Sequence, residues 1–473
     1  MKLSDLLNGL EIIEWNVDRN IQIDDICTMS EKAKSGDMFI CLSGTRVDGH
    51  GFVERLKNTV SCFLVERPVN APYVLVKDTR KAYSIACQNY FGNPAKDMKF
   101  VSIVGTNGKT STAHILSSLL KTAGMTVGTI GTIGHFVGDE KIGESLTTPD
   151  PYELNKLLQL MRTRAVEVVV AEVSAHAIYF DKLYGIDSDL AVFTNVTQDH
   201  LDFFKTFDEY ANVKLSFFGK NVKAAVVNVD DAYGRKLALN SKIPVITYGL
   251  YEPSDVFAID VYPDFDGTSF VANMFDEVFE MKSPLYGVFN VYNLLAAMIC
   301  CSSLGVDVET IKKGVRRLKP IDGRFNVLKN GKGFIVIDYA HTPDGLDNLL
   351  RTARTITKSR LITVFGCGGD RDVSKRKIMG KIASELSDAV ILTSDNPRSE
   401  NPEKIIADIE YGAVKPSKTI VNRAEAIAFA LNEMAEGDTV VIAGKGAENY
   451  MEIKGKKIPY SDLETVLKRG AKR

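Results

Sequence analysis

The chain has 473 residues, 25% of them charged and nearly balanced, 58 Lys and Arg against 60 Asp and Glu, for a net charge of −2. That length exceeds one ordinary core and predicts roughly two to four domains. The balance argues against nucleic acid or an anionic membrane as a partner.

The opening MKLSDLLNGLEIIEWNVDRN carries acids throughout and lacks the basic-then-apolar order of a signal peptide. No apolar run reaches the roughly 18 residues of a spanning helix. The seven cysteines are scattered without a C-x-x-C pair and read as reduced packing residues. A cytoplasmic protein is expected.

Residues 1–98 alternate short strands such as DMFICL and SCFLVE with loops, then offer a helix in TRKAYSIACQNYF that Pro94 breaks. From 99 to 322 the runs KFVSIVG, TVGTIG, VEVVVAEV, DLAVFTNV, KAAVVNV and PVITYG are almost continuously apolar. Such runs mark strands buried on both faces of a parallel sheet. Residues 254–282 instead alternate with period two around Asp266-Gly267, predicting a hairpin at one edge. From 323 to 473 the runs GFIVIDYA, RLITVFG, AVILTSD and DTVVIAG restart the pattern and predict a second open α/β unit. The expected architecture is α/β, with three domains in series at 1–98, 99–322 and 323–473.

The stretch VSIVGTNGKTST drops from a β-branched run through Gly105, Thr106, Asn107, Gly108, Lys109, Thr110 and Ser111 into an apolar-periodic helix. Glycines let the backbone approach a phosphate, an ammonium neutralises its outer oxygens, and a hydroxyl can ligate Mg²⁺. The standard spacing G-x-x-x-x-G-K-[ST] would place glycine where Ile103 stands. Three further clusters add weight. Glu172 ends the apolar run VEVVVAEV, where ligands of open sheets gather and where packing alone would not place a carboxylate. Asp199 and His200 follow DLAVFTNV, and Lys214 sits on a helical segment downstream. Together they predict a divalent-metal site beside a triphosphate.

The blocks GTNGKTST, TTPDP, EVSAHA, FTNVTQDHLD, YANVK, YGVFNVYNLLAA, DGRFN, DYAHTPD, FGCGGDRD, SDNPRSENP and AGKGAENY occur in that order. In this the chain resembles the Mur ligases over essentially its whole length. Their phosphate loop is itself G-T-N-G-K-T, so Ile103 is no obstacle. The resemblance implies a three-domain fold with a central P-loop-type domain and a C-terminal Rossmann-like domain. It also implies ATP-driven amide formation in peptidoglycan precursor synthesis. A D-glutamyl γ-carboxylate attacks the γ-phosphorus, and the amine of an incoming amino acid then displaces phosphate from the acyl phosphate. Lys109 would neutralise the triphosphate, Thr110 and Glu172 would hold one Mg²⁺, and His200 and Lys214 a second, with Lys214 carbamylated by CO₂. Asn293 is implied near the base and ribose. Arg324, Asp338 and His341 would reach ATP when the third domain closes.

For UDP-N-acetylmuramoyl-L-alanyl-D-glutamate the resemblance implies Ser30, Thr147, Thr148, Ser174 and Lys182. For the incoming amino acid it implies Arg371, Asp395, Asn396, Pro397, Arg398, Gly444 and Glu448. The D-N-P-R block goes with meso-diaminopimelate, whose second carboxylate an arginine can clamp bidentately, whereas it would repel the ammonium of lysine. The chain departs from its relatives at Met29 and Glu31 around Ser30, at Phe180 and Lys182 where relatives often carry Gln and Arg, and at Ala447 where they carry His. Lys182 keeps a charge but not the guanidinium fork. These departures leave open a lysine-adding enzyme or a paralogue with another acceptor. A folylpolyglutamate synthase would have no use for the first domain, and a scaffold without turnover no use for Lys109, Glu172, His200 and Lys214. A monomer is expected.

Overall fold

A computed structural model describes residues 1–472 except 45–46, 220, 265, 276 and 415–417. Its organising element is an eleven-stranded sheet. The middle of that sheet is parallel, running Val127–Gly131, Val168–Val173, Lys99–Val104, Ser188–Phe193, Val222–Asn228, Val245–Gly249 and Val256–Asp264. Every residue of Val168–Val173 is buried, as its unbroken apolar run requires. Helices Lys109–Thr122 and Val288–Ser303 cover one face through Leu116, Leu119, Leu294 and Ile299; Pro151–Thr163 covers the other through Leu154, Leu158 and Met161.

Both edges of this sheet are antiparallel. At one, Val256–Asp264 pairs with Gly267–Met274 around the anticipated Asp266-Gly267 turn, and Glu277–Ser283 adds a third strand. At the other, Gly134–Val137 and Glu140–Gly143 form a meander that the sequence reading did not anticipate, because these strands are short and half-exposed.

A five-stranded sheet lies between Ile12 and Val76, with Ile12–Asn16 antiparallel to an otherwise parallel set. The helix that follows, Thr79–Tyr90, starts on an Asp78 side chain accepting from two backbone amides. It fastens this lobe to the large one. Ser84 donates to the Asp181 carbonyl at 2.6 Å, Gln88 donates to that of Tyr184 at 2.7 Å, and the Arg80 guanidinium lies 4.4 Å from the Phe180 ring. Phe180 is thereby a stacking platform for an arginine of the first lobe.

The third sheet has six strands, in the order Asn326–Lys329, Phe334–Asp338, Thr439–Ala443, Leu361–Phe365, Ala389–Leu392 and Lys418–Thr419. All neighbours but the first pair are parallel. A separate hairpin, Tyr450–Ile453 with Lys456–Pro459, packs beside it and was not anticipated. All seven cysteines are buried and free. Among the described residues, no helix is long and apolar enough to cross a membrane.

Candidate functional site

The second and third sheets turn their carboxyl ends toward one another, the edge where open α/β sheets bind ligands. Between them lies a cleft of about 670 Å³. From the large sheet it receives the loop after Val104, the end of Val168–Val173 and the segment after Phe193; from the third, segments following Asp338, Phe365, Leu392 and Ala443.

The loop after Val104 is held open from behind. Asn195 accepts from the Asn107 amide at 2.9 Å, and Thr194 donates to the Asn107 carbonyl at 2.7 Å. A side chain at Gly105 would collide with the Thr194 hydroxyl, and Gly108 has a φ of +86°. Lys109 folds back on the Gly105 and Thr106 carbonyls, both at 2.9 Å, so its ammonium rests within the loop. Burial lowers its pKa, against the opposing charges of Glu172 and Asp199.

Glu172 is 2% exposed. One carboxylate oxygen accepts from Thr110 Oγ1 at 2.8 Å and Thr132 Oγ1 at 3.1 Å; the other accepts from the Thr132 amide at 2.9 Å. Arg324 reaches from beyond the large sheet to donate to Thr110 Oγ1 at 3.1 Å, its guanidinium 4.5 Å from the Tyr339 ring. Thr132 meets Thr147 at 3.0 Å, which brings the TTPDP segment alongside.

His200 has a φ of +56°, a strained backbone for a histidine. Burial pushes its imidazole down to about 3, so the ring is neutral at physiological pH. Its Nδ1 is buried without a hydrogen-bond partner among the described residues. Asp199 stands 3.5 Å from His200 and 3.8 Å from His341. Burial works to raise the Asp199 carboxyl, but the two imidazoles hold it well below the usual range.

Lys214 is 1% exposed, and its Nζ donates to the Gly105 carbonyl at 2.5 Å. Among the described residues no carboxylate lies within ion-pair distance of it. Burial, reinforced by the charge of Lys109, pushes its pKa well below the ordinary lysine value. These residues fit a divalent cation. Thr110 and Glu172 supply oxygens, and His200 supplies a neutral ring with an idle nitrogen. No three His, Cys, Asp or Glu side chains cluster as a metal site among the described residues; the expected set draws on a hydroxyl and a lysine instead.

Asn293 lies under the loop, accepting from Thr112 at 3.1 Å. Asp338 is half-buried and accepts from the Phe325 and Ala340 amides, both at 2.6 Å. Burial raises its pKa despite Arg324. On the far wall Asn396 donates to Glu448 at 2.9 Å, and Arg398 pairs with Glu452 at 3.1 Å while donating to the Gly369 carbonyl at 2.7 Å. Arg371 approaches Asp202 of the large lobe at 3.7 Å.

Thr106 to Ser111, Thr147, Ser174, Glu172, His200, Asn293, Arg324, Asp338 and His341 all border this one cleft, as do Arg371, Asp395, Asn396, Arg398, Gly444 and Glu448. Ser30, Gly105, Thr148, Lys182, Lys214 and Pro397 do not; Lys214 is spent on the Gly105 carbonyl. Ser30 lies in the first lobe and donates to Glu31 at 2.9 Å. Lys182 is committed to Asp150 at 2.7 Å and the Thr148 carbonyl at 3.3 Å, and Thr148 spends its hydroxyl on the Glu172 carbonyl at 2.8 Å. The sequence reading missed Asp230, which borders the cleft, accepts from Tyr292 at 2.7 Å and caps the amides of 250–252. It stands just past a buried strand, the same signal that exposed Glu172.

A phosphate-type loop in a cleft between two facing α/β sheets defines a nucleotide-handling enzyme. The chain matches the Mur ligase middle domain over residues 103–301 and the Mur ligase, glutamate ligase domain over residues 323–446, and it belongs to the Mur ligase family. Full-length relatives agree. It is 41% identical over 486 residues to the UDP-N-acetylmuramoyl-L-alanyl-D-glutamate--2,6-diaminopimelate ligase of Clostridium perfringens, covering 98% of this chain and 99% of that one. It is 40% identical over 475 residues, 98% of each chain, to the ligase 1 of the same name from Clostridium acetobutylicum. A solved structure of a UDP-N-acetylmuramoyl-L-alanyl-D-glutamate--2,6-diaminopimelate ligase matches it at 31% identity and a TM-score of 0.71, covering 99% of this chain and 98% of the other. The protein is thus a ligase with the three-domain Mur ligase architecture.

Proposed function

We propose that this protein is an ATP-dependent ligase that joins meso-diaminopimelate to UDP-N-acetylmuramoyl-L-alanyl-D-glutamate in cytoplasmic peptidoglycan precursor synthesis. The reading rests on one observation: the Lys109 loop and Glu172 face Asn396, Arg398 and Glu448 across a single cleft. The names of relatives about 40% identical over 98% of the chain support it. Division into domains near residues 98 and 322 accords with sheets confined to 12–76, 99–283 and 326–443. The protein acts as a monomer.

Nucleophile and triphosphate are both anionic, so the site's task is to hold them together against repulsion. The γ-carboxylate oxygen of the D-glutamyl residue attacks the γ-phosphorus of ATP, the bond to ADP breaks, and an acyl phosphate forms. The amine of the incoming amino acid then attacks the acyl carbon, loses a proton and expels phosphate. Lys109, on the loop, neutralises the phosphates. Thr110 with Glu172, and His200 with Lys214, would hold Mg²⁺, which supplies charge neutralisation at the transferring phosphoryl group.

An ammonium at Lys214 would repel such an ion. Its burial favours the neutral amine, the form that adds to CO₂; the N–C bond forms, a proton leaves, and the cation becomes a carboxylate-like ligand. Arg324, Asp338 and His341 belong to the closing lobe and shield the acyl phosphate from water. Arg398 clamps the distal carboxylate of diaminopimelate, and Glu448 receives an ammonium.

The test is an amino-acid screen with ATP and the UDP-linked dipeptide, read by product mass and phosphate release. Diaminopimelate is expected to be used far better than L-lysine. Arg398→Ala should narrow that preference by roughly 10- to 100-fold, the worth of a charge-assisted pair. Equal kcat/KM for the two amino acids in the unaltered protein overturns the assignment.

A further inference from the structure

Behind the wall that carries Asn396 and Glu448 lies a second lysine with no place in the chemistry above. Lys445 is 0% exposed and does not border the cleft. Its Nζ donates to Glu448 Oε2 at 2.6 Å and to Asn396 Oδ1 at 3.0 Å, and it lies 5.6 Å from the centre of the Tyr450 ring. Asn396 closes the triangle by donating from Nδ2 to the same Glu448 oxygen at 2.9 Å. Its Oδ1 also accepts the Glu452 amide at 2.9 Å, on the hairpin whose Glu452 side chain holds Arg398.

A fully buried ammonium costs several kcal/mol in desolvation unless paired, and a hydrophobic residue would fill such a place more stably. Here the ammonium sits one residue deep behind two groups that face the cleft, and it bonds to both. Glu448 Oε2 takes two donors from the protein, whereas Oε1 has none among the described residues. The carboxylate is thus pinned by one oxygen and presents the other.

We propose that Lys445 is a positioning residue for the incoming amino acid. It fixes the rotamers of Glu448 and Asn396 together, so that Glu448 Oε1 and the Asn396 amide meet one end of that substrate in a single geometry. Without it, Glu448 turns freely and Asn396 loses the partner that sets which way its amide points. The lysine touches no substrate and acts through its two neighbours. Its removal weakens capture of the amino acid and leaves the ATP half of the cleft alone. This rests on the reading of the Asn396 wall as the amino-acid site.

The test compares Lys445→Met, Glu448→Gln and the double variant with the unaltered enzyme, using diaminopimelate, ATP and the UDP-linked dipeptide. For Lys445→Met, KM for diaminopimelate should rise at least about tenfold, with kcat at saturation and the affinity for ADP, measured by calorimetry, changing less than about threefold. If the lysine acts through Glu448, the double variant should lose little beyond Glu448→Gln alone. Should Lys445→Met not fold, Lys445→Gln, which keeps a donor but not the charge, takes its place in the same cycle. An unchanged KM, fully additive losses, or an equal loss of ADP affinity overturns the proposal. If the unaltered enzyme adds no diaminopimelate at all, the underlying reading fails instead, and the two failures are told apart by that control.

Discussion

At the scale of single residues, the site sets buried charges where their surroundings change their chemistry. Lys214 is the sharpest instance, a buried amine that donates to one carbonyl, lies 4.6 Å from the Tyr210 ring and, among the described residues, has no acid within ion-pair distance. Lys214→Ala should lower phosphate release by about 100-fold or more, the range seen when an electrostatic participant is removed. Short carboxylic acids added to the assay should restore part of that loss by filling the space of the missing ligand. Undiminished turnover in the unsupplemented variant removes the residue from the mechanism.

Much of this site was proposed because chemistry-bearing residues end or follow apolar runs: Glu172 ends one, and Asp199 and His200 follow another. Asp230 does so too and was passed over, since two adjacent acids after a strand read as easily as a turn. Lys445 gave no signal. It lies inside a glycine-rich block whose neighbours drew the eye, and only its complete burial beside Glu448 and Asn396 reveals a task.

At the scale of elements, the strand Thr439–Ala443 delivers Gly444 and Glu448 to the cleft, and its entry is anchored by Asp438. That carboxylate accepts from the Arg360 guanidinium at 2.7 Å and from the Ala435 and Arg360 amides, both at 2.9 Å. Burial opposes its ionisation, but the guanidinium and the two amides overcome this and hold its pKa down at about 2. A carboxyl depressed in the folded state stabilises fully above its ordinary value near 4, and that stabilisation drains away as pH falls toward 2. Asp438→Asn should therefore cost about 1–2 kcal/mol in urea unfolding at pH 7. The gap between the two proteins should hold steady down to about pH 4 and narrow below it. A gap that stays constant to pH 3 contradicts the assignment.

The buried parallel strands could be read from unbroken apolar runs, and the helices from periodicity and caps. The outer meander Gly134–Gly143 and the hairpin 450–459 could not, because these four-residue strands show no alternation of buried and exposed positions.

At the scale of the whole molecule, the second and third lobes meet where Tyr286 and Phe289 pack on Phe325, and through polar contacts whose partners are far apart in sequence. Gln198 donates to Asp372 at 3.1 Å and Ser374 at 3.0 Å, across 174 and 176 residues, and Asn107 donates to Asp344 at 2.8 Å across 237. No local pattern announces such pairs. Gln198→Ala removes two of these bonds, each worth about 1 kcal/mol net, and should shift the balance between closed and open forms roughly 10- to 30-fold toward open. Small-angle scattering of the protein alone should then give a larger radius of gyration than the parent; an identical radius shows that the contact does not hold the lobes.

The first lobe meets the large one differently. Ser84, Gln88 and Arg80 tie it to residues 180–184 at three points along one helix. On the function proposed above, the span from Ser30 to the Lys109 loop would gauge a nucleotide-linked peptide laid along it by length, one residue fewer leaving its terminal acid short of the phosphorus.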